Sequence, residues 1–565
     1  MSRAGAAVWD WFMQRCASRP FVVVTVLAIG VMLLFQCWRF HFNLNDDNLS
    51  QWVPLFYDIG RNLWSGNHPY ISQCIFGGNY PILLDPNFLC YGNPVNFALA
   101  ALTPHFLGLW VADAMVGVQI LGAAVSFMAL ALRLRAVGLS KISNGWCVFC
   151  SLSYAFCGHA VILPASWAYC SHIVLALPLA LVGLLDGKLW RGVLIFSLAI
   201  INSVLGYLHN FLYSLPFYLG IAIILSWALR SHRPWRIMLL GGLLAMEVTA
   251  PILAHSVIAF HNSPRALFND PHDLYYTSFS PVKFLLSATT GGLVAFEGSR
   301  FQLFELHPRQ VYALYFFTGS LCFWAAFAAS IWRPSVLRIG LALLMVLAAF
   351  FVTRDQWLYP YMVHVPLYRY LRWPMREGIF YVFFANVYLV CAAHYLKPLL
   401  LRRLAIAGSL LLVWSLFSKP GLTFNSMTGD YDLVLSGKAA RYWERLKPQL
   451  PPGSRVAAFV NEPKWDPCTD RLPHVLAGSF NYSCIYNFNS VSSYCYTRID
   501  SGPLRKIEPF HWSGLYSLKD MPVIKKIDPN LTCMIIDGLD IHGIWIQCPQ
   551  DPSPRPVLEL VGKLD

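Results

Sequence analysis

Two neighbouring carboxylates, Asp46 and Asp47, follow the first long apolar run of the chain, in Asn43-Leu44-Asn45-Asp46-Asp47-Asn48-Leu49-Ser50-Gln51-Trp52. A carboxylate beside a helix C-terminus is electrostatically unfavoured, so the pair needs another use. General-base catalysis at a membrane surface is one use, with the carboxylate taking the proton of an attacking hydroxyl. Binding a divalent metal is a second, and capping the next helix is a third. Further along stand Arg369, Arg372 and Arg376, at spacings of three, four and seven residues. On a helix they would share one face, where planar guanidinium forks suit phosphate oxygens. Pairing with Asp355 and Glu377, or contact with lipid headgroups, is the alternative reading, and Pro374 interrupts a single helix there.

The elements that must position these groups are membrane helices. Of 565 residues, 56% are hydrophobic and only 13% charged, too little charge for a water-soluble surface of this size. A helix needs about 20 mostly apolar residues to cross a hydrocarbon core roughly 30 Å thick. Such stretches occur at 21–38, 107–132, 146–163, 173–185, 192–205, 211–229, 237–260, 311–332, 337–352, 379–396 and 404–417, which makes about 11 spans. Lys and Arg cluster at every second junction, at Arg15 and Arg19, Arg133 and Arg135, Lys188 and Arg191, Arg230 to Arg236, Arg333 and Arg338, and Lys397 to Arg403. The positive-inside rule then puts the N terminus in the cytoplasm and the C-terminal region outside an inner or plasma membrane. The formal charge of +13 therefore reads as topology information and contact with anionic membrane lipids, with no nucleic acid implied. The first apolar run is long and lacks a small-residue cleavage site, so no cleavable signal is expected.

This organisation predicts a polytopic α-helical module over residues 1–417, with an extracytoplasmic first loop at 39–105, and an extracytoplasmic C-terminal domain over 418–565. The tail's apolar residues come in short bursts between Pro, Gly, Asn and Asp, which predicts a mixed α/β or β-rich domain. Five of the 15 cysteines lie in the tail (Cys468, Cys484, Cys495, Cys533, Cys548), and Cys74 and Cys90 lie in the first loop. An oxidising compartment would permit disulfides, but the connectivity is not readable from the sequence. Glu247 falls inside a span, where an ionisable side chain is either functional or paired with a neighbouring helix. His159, His172, His209 and His255 fall near span ends.

The first loop continues with Leu63-Trp64-Ser65-Gly66, Phe76-Gly77-Gly78 and Asn93-Pro94, and is rich in aromatic residues. Further segments follow in Ser153-Tyr154-Ala155-Phe156-Cys157-Gly158, Leu177-Pro178-Leu179, Gly206-Tyr207-Leu208-His209-Asn210 and Arg372-Trp373-Pro374-Met375-Arg376. In this order the chain resembles the YfhO-type bacterial membrane proteins, relatives of the GT-C glycosyltransferases, over roughly 21–396. The run Asn67-His68-Pro69-Tyr70 and the cysteine-bearing tail depart from that pattern. The resemblance implies a membrane glycosyltransferase that moves a sugar from a polyprenyl-phosphate donor to an extracytoplasmic glycan or glycolipid acceptor of the cell envelope. Asp46 or Asp47 would be the catalytic carboxylate, Arg369, Arg372 and Arg376 would hold the donor phosphate, and His68, Asn87, His209 and Asn210 would bind substrate. No cofactor is implied beyond a possible divalent metal at Asp46 and Asp47. A transporter or flippase of lipid-linked precursors, or a non-catalytic envelope assembly protein, are the competing readings.

Overall fold

Residues 378–392 read Gly-Ile-Phe-Tyr-Val-Phe-Phe-Ala-Asn-Val-Tyr-Leu-Val-Cys-Ala, apolar on every face. Such a helix must be surrounded on all sides by protein or lipid. In the computed structural model of the chain it is surrounded by protein, since every residue of Gly378–Ala392 is buried. The structure describes residues 19–38, 48–75, 80–82, 89–161, 163–261, 320–353, 374–400, 433–449, 455–460, 482–486, 489–490, 516–517, 531–536, 544–548 and 551–556, with a few single residues between them.

In chain order the helices are α1 (Arg19–Trp38), α2 (Val53–Trp64), α3 (Pro94–Leu102), α4 (Val111–Ala136), α5 (Asn144–Ala155), α6 (Gly158–Val161), α7 (Leu163–Ser166), α8 (Ser171–Leu184), α9 (Leu189–Gly206), α10 (Leu208–Ala228), α11 (Arg233–His261), α12 (Ser320–Ser330), α13 (Val336–Val352), α14 (Gly378–Ala392), α15 (Lys438–Leu446) and α16 (Tyr482–Tyr486). Among the described residues five helical stretches are long and apolar enough to cross a membrane: Pro94–Ala136, Leu189–Gly206, Leu208–Ala228, Arg233–Ala254 and Gly378–Tyr395. A sixth is formed if Asn144–Ala155 and Gly158–Ala165, bent by 52°, count as one broken span. Ala168–Leu184 and Val336–Val352 are shorter apolar helices. The chain is a polytopic helical membrane protein. The apolar stretch expected at 404–417 lies almost wholly outside the described residues, as does the first part of 311–332.

The chain divides into two compact units: Met1–Asn43, Met115–Pro251 and Asn269–Thr423 form the first, and Leu44–Ala114, Ile252–Phe268 and Phe424–Asp565 the second. In the first, α14 is the central pole. Phe217 of α10 stacks on Phe380 at 4.2 Å, and Tyr388 shares a 2.9 Å hydrogen bond with Ser330 of α12. By contrast α11 exposes Leu239, Leu243, Met246 and Val248, an apolar face that suits lipid. Exposed Trp190, Trp227 and Trp332 sit at helix ends beside Arg191, Arg230 and Arg333, the arrangement of a membrane–water interface. α8 and α9 pack with their backbones in close approach: a Cβ on Gly183 would lie 2.9 Å from the Gly192 carbonyl oxygen. Their connecting turn is held by Asp186, which accepts hydrogen bonds from the Lys188 N–H, Arg133 and Arg191, each at 2.8 Å.

In the second unit Asn93 caps α3, accepting from the Val95 N–H at 3.0 Å, with Pro94 at the first helical position where its missing N–H costs nothing. Strands β1 (Ile71–Ser72) and β2 (Tyr80–Pro81) form a short antiparallel ribbon. The tail folds strands β3 (Arg455–Val460), β4 (Asn489–Ser490), β5 (Tyr516–Ser517), β6 (Leu531–Ile536), β7 (Ile544–Cys548) and β8 (Asp551–Pro556) into one mixed sheet. Its central strand β3 pairs in parallel with β4, β5 and β6, while β6, β7 and β8 are antiparallel. The apolar bursts of the tail at 456–460, 534–536 and 544–546 are therefore β3, β6 and β7.

Candidate functional site

Three interruptions of membrane helices supply the polar chemistry of the first unit. The first follows Ala155, where the chain bends and then passes through a tight turn at Ala168–Cys170 before α8 begins. The second is Tyr207, extended (φ −163°, ψ 118°) between α9 and α10. Gly206 permits this break, because a Cβ there would fall 2.3 Å from the Cβ of His172. The third is the turn Pro374–Glu377, which leads into α14. Interrupted helices at membrane depth leave backbone and side-chain polar groups that protein or a lined cavity must satisfy.

Arg376 lies where these breaks meet. It is 5% exposed. Its guanidinium donates to the phenol oxygens of Tyr207 at 3.0 Å and Tyr169 at 3.3 Å. The same group lies over the ring of Trp167, 4.7 Å from its centroid, and close to the rings of Tyr207 and Tyr169 at 5.3 and 5.7 Å. Tyr169 and Tyr207 pack against each other at 4.3 Å, and the imidazole of His209 stacks on Tyr207 at 4.5 Å. Aromatic faces attract a guanidinium through their quadrupole and shield it from water. A phenol accepts its hydrogen bond without cancelling its charge, and keeps an O–H proton to donate elsewhere. The buried imidazole of His159 lies near enough to feel the Arg376 charge. Among the described residues, His159 Nε2 and Asn210 Nδ2 are buried without a hydrogen-bond partner. A buried guanidinium held among phenols and ring faces is a group that can bind an oxyanion.

Other expected site residues fall in different places. His209 and Asn210 accompany Arg376 in the first unit. His68 belongs to the second unit, is exposed, and accepts from the Tyr70 N–H at 3.3 Å in its own turn. Asp46, Asp47, Asn87, Arg369 and Arg372 lie outside the described residues. Arg376 stands in a 3-10 turn, so α-helical spacing from Arg369 and Arg372 does not run through it. Glu247 is exposed on α11 rather than buried in a pair. His172 is absorbed in structure: its Nδ1 meets Asn202 Oδ1 at 3.1 Å, and Asn202 Nδ2 reaches back to the His172 carbonyl at 3.1 Å. The side chain of His255 is outside the described residues. Trp167 and Tyr169 carry little signal in the sequence, because both fall in the short gap between the apolar stretches 146–163 and 173–185; the one hint is a pair of aromatic residues beside a span break.

Solved structures to which the chain is similar over most of its length include the crystal structure of ArnT from Cupriavidus metallidurans bound to undecaprenyl phosphate. The identity is 13%, the TM-score 0.45, and the match covers 93% of this chain and 94% of that one. No protein-family model matches the chain, and no curated protein does.

Proposed function

We propose that the protein is a membrane glycosyltransferase that uses a sugar carried on a polyprenyl phosphate and delivers it to an extracytoplasmic glycan or glycolipid. The observation that carries this reading is the Arg376–Tyr207 hydrogen bond of 3.0 Å. It joins two of the segments on which the resemblance to the GT-C relatives rests, 206–210 and 372–376, and places a guanidinium inside a membrane unit, where the natural anionic ligand is a lipid-linked phosphate.

In the proposed reaction the acceptor hydroxyl gives its proton to Asp46 or Asp47 as its oxygen bonds to the anomeric carbon. The bond from that carbon to the phosphate oxygen breaks, and the polyprenyl phosphate leaves with the bonding pair. Charge builds on the departing phosphate, and a preorganised guanidinium favours that state most. Arg376 is assigned this role, with Arg369 and Arg372 as further phosphate ligands. His209 and Asn210, with His68 and Asn87, are assigned to substrate hydroxyls.

The test is a transfer assay on the purified full-length protein with polyprenyl-phosphate sugar donors, following release of polyprenyl phosphate. Wild type is expected to release it and an Asp46/Asp47 double alanine variant is not. Equal release by both would remove the carboxylates from the chemistry, and the absence of release with every donor would support a transporter or an assembly protein.

A further inference from the structure

Asp58, Cys74 and Cys484 come from three elements of the second unit, and their ligand atoms all lie within 4.8 Å of one another. Asp58 is on α2, Cys74 follows β1, and Cys484 is on α16, more than 400 residues along the chain from Cys74. All three are buried, at 2%, 4% and 0% exposure. The Cys74 thiol stands 3.1 Å from Asp58 Oδ1, whereas Asp58 Oδ2 has no hydrogen-bond partner among the described residues. A carboxyl oxygen left without a partner in a buried site is costly, so this cluster calls for something more.

We propose that Asp58, Cys74 and Cys484 form a binding site for one borderline-soft divalent cation of the zinc class, which clasps the first loop to the C-terminal sheet region. Three protein ligands and one water would complete a tetrahedral shell. Ligand atoms about 2.0–2.3 Å from a tetrahedral zinc stand about 3.5–3.8 Å apart, and those of Asp58, Cys74 and Cys484 already lie within 4.8 Å of one another. Two thiolates select against magnesium and calcium, which prefer oxygen.

Charge supports the assignment. Arg61, one turn along α2, donates its guanidinium hydrogens to the carbonyl oxygens of Cys484 and Ile485. A divalent cation and Arg61 together balance one carboxylate and two thiolates, leaving the buried site neutral. The surrounding hydrogen bonds fix the ligands as a second shell does in metal sites: Ser483 Oγ donates to the Cys74 carbonyl at 2.8 Å, and the Cys74 N–H donates to Ser72 Oγ at 3.2 Å. A Cys74–Cys484 disulfide, the other outcome open to two adjacent thiols, would take away the thiol proton that faces Asp58 and leave its bare oxygen bare.

The test uses the full-length protein purified in detergent without chelator. Elemental analysis is expected to find one equivalent of zinc per chain, and exchange with Co2+ to give the intense near-ultraviolet band of thiolate-to-cobalt charge transfer. That band should fall by at least half in Cys74→Ser and vanish in the Cys74/Cys484 double serine variant. Should those variants fail to fold, wild type alone decides, since a tight chelator should lower its melting temperature and added zinc restore it. A peptide containing the Cys74–Cys484 disulfide, a wild type without metal or cobalt band, or a band unchanged in the double variant would each overturn the proposal.

Discussion

Arg376 in the first unit and Asp58 in the second are both ionisable side chains withdrawn from solvent, at 5% and 2% exposure, and they are accommodated by opposite means. The arginine is enclosed by ring faces and donates to two phenols. Asp58 is placed beside a thiol and within the field of Arg61. Burial pushes its carboxyl above the usual carboxylate range, opposed in part by hydrogen bonds from Ser72 and Cys74 and by Arg61. A third buried ion, Asp186, is gripped by Arg133 and Arg191 at the α8–α9 turn, a plain structural pairing. Burial alone therefore does not mark function. What distinguishes a candidate site is the chemistry of the groups gathered around the charge.

The comparison breaks most visibly at the carboxylates assigned to catalysis. Asp46→Asn or Asp47→Asn should lower transfer by about two orders of magnitude or more in the variant that loses the base, with expression intact. Near wild-type turnover in both single variants would leave the reading without a general base.

A smaller loss is expected on the phosphate side. Arg376→Lys keeps the charge but loses the planar fork and the ring contacts, so the apparent donor requirement should rise by about tenfold or more, and Arg376→Ala should raise it further. An accompanying fall in kcat would measure how much more strongly the guanidinium holds the departing phosphate than the bound donor.

Tyr207→Phe sharpens the same point, because it removes one hydroxyl and keeps the stack with Tyr169 and His209. Loss of one hydrogen bond to a charged group corresponds to about 1.5 kcal/mol at the low end of its range, roughly tenfold, and the donor requirement should reflect it. An effect as large as that of Arg376→Ala would mean that the ring, not the arginine, organises the pocket.

The smallest effect should come from Asp186. Burial raises its carboxyl, but the hydrogen bond from Arg191, the Lys188 N–H and the charge of Arg133 outweigh this and hold it below the usual carboxylate range. A depressed folded-state value contributes stability that is present above the unfolded carboxylate value near 4 and is lost as pH falls through the folded one. Asp186→Asn should lower the melting temperature in detergent by about 2–4 °C at pH 7, flatten its acid dependence, and leave transfer unchanged.

How far the sequence could be read follows from what its pattern encodes. Long apolar runs gave α9, α10, α11 and α14 within a few residues, because lipid and a crowded core impose the same composition on a helix. The run at 146–163 hid the bend after Ala155, since Cys157-Gly158 is apolar enough to pass as continuous. Arg376 stood out because a cation at the start of a span demands a reason. Its partners Trp167 and Tyr169 did not, since an aromatic residue at a helix break looks the same as one in a core. The Asp58, Cys74 and Cys484 cluster was beyond any local pattern: no metal-ligand spacing joins residues separated by several hundred positions, and only the fold brings them together.

The account rests on Arg376 receiving a lipid-linked phosphate, and binding tests this without any sugar or acceptor. Polyprenyl phosphate should be titrated into wild type, Arg376→Lys and Arg376→Ala in lipid nanodiscs, with bound lipid counted by native mass spectrometry and folding checked by melting temperature. The account predicts saturable binding to wild type, an affinity at least about tenfold weaker for lysine, and none measurable for alanine. Wild-type affinity in a folded Arg376→Ala variant would contradict it.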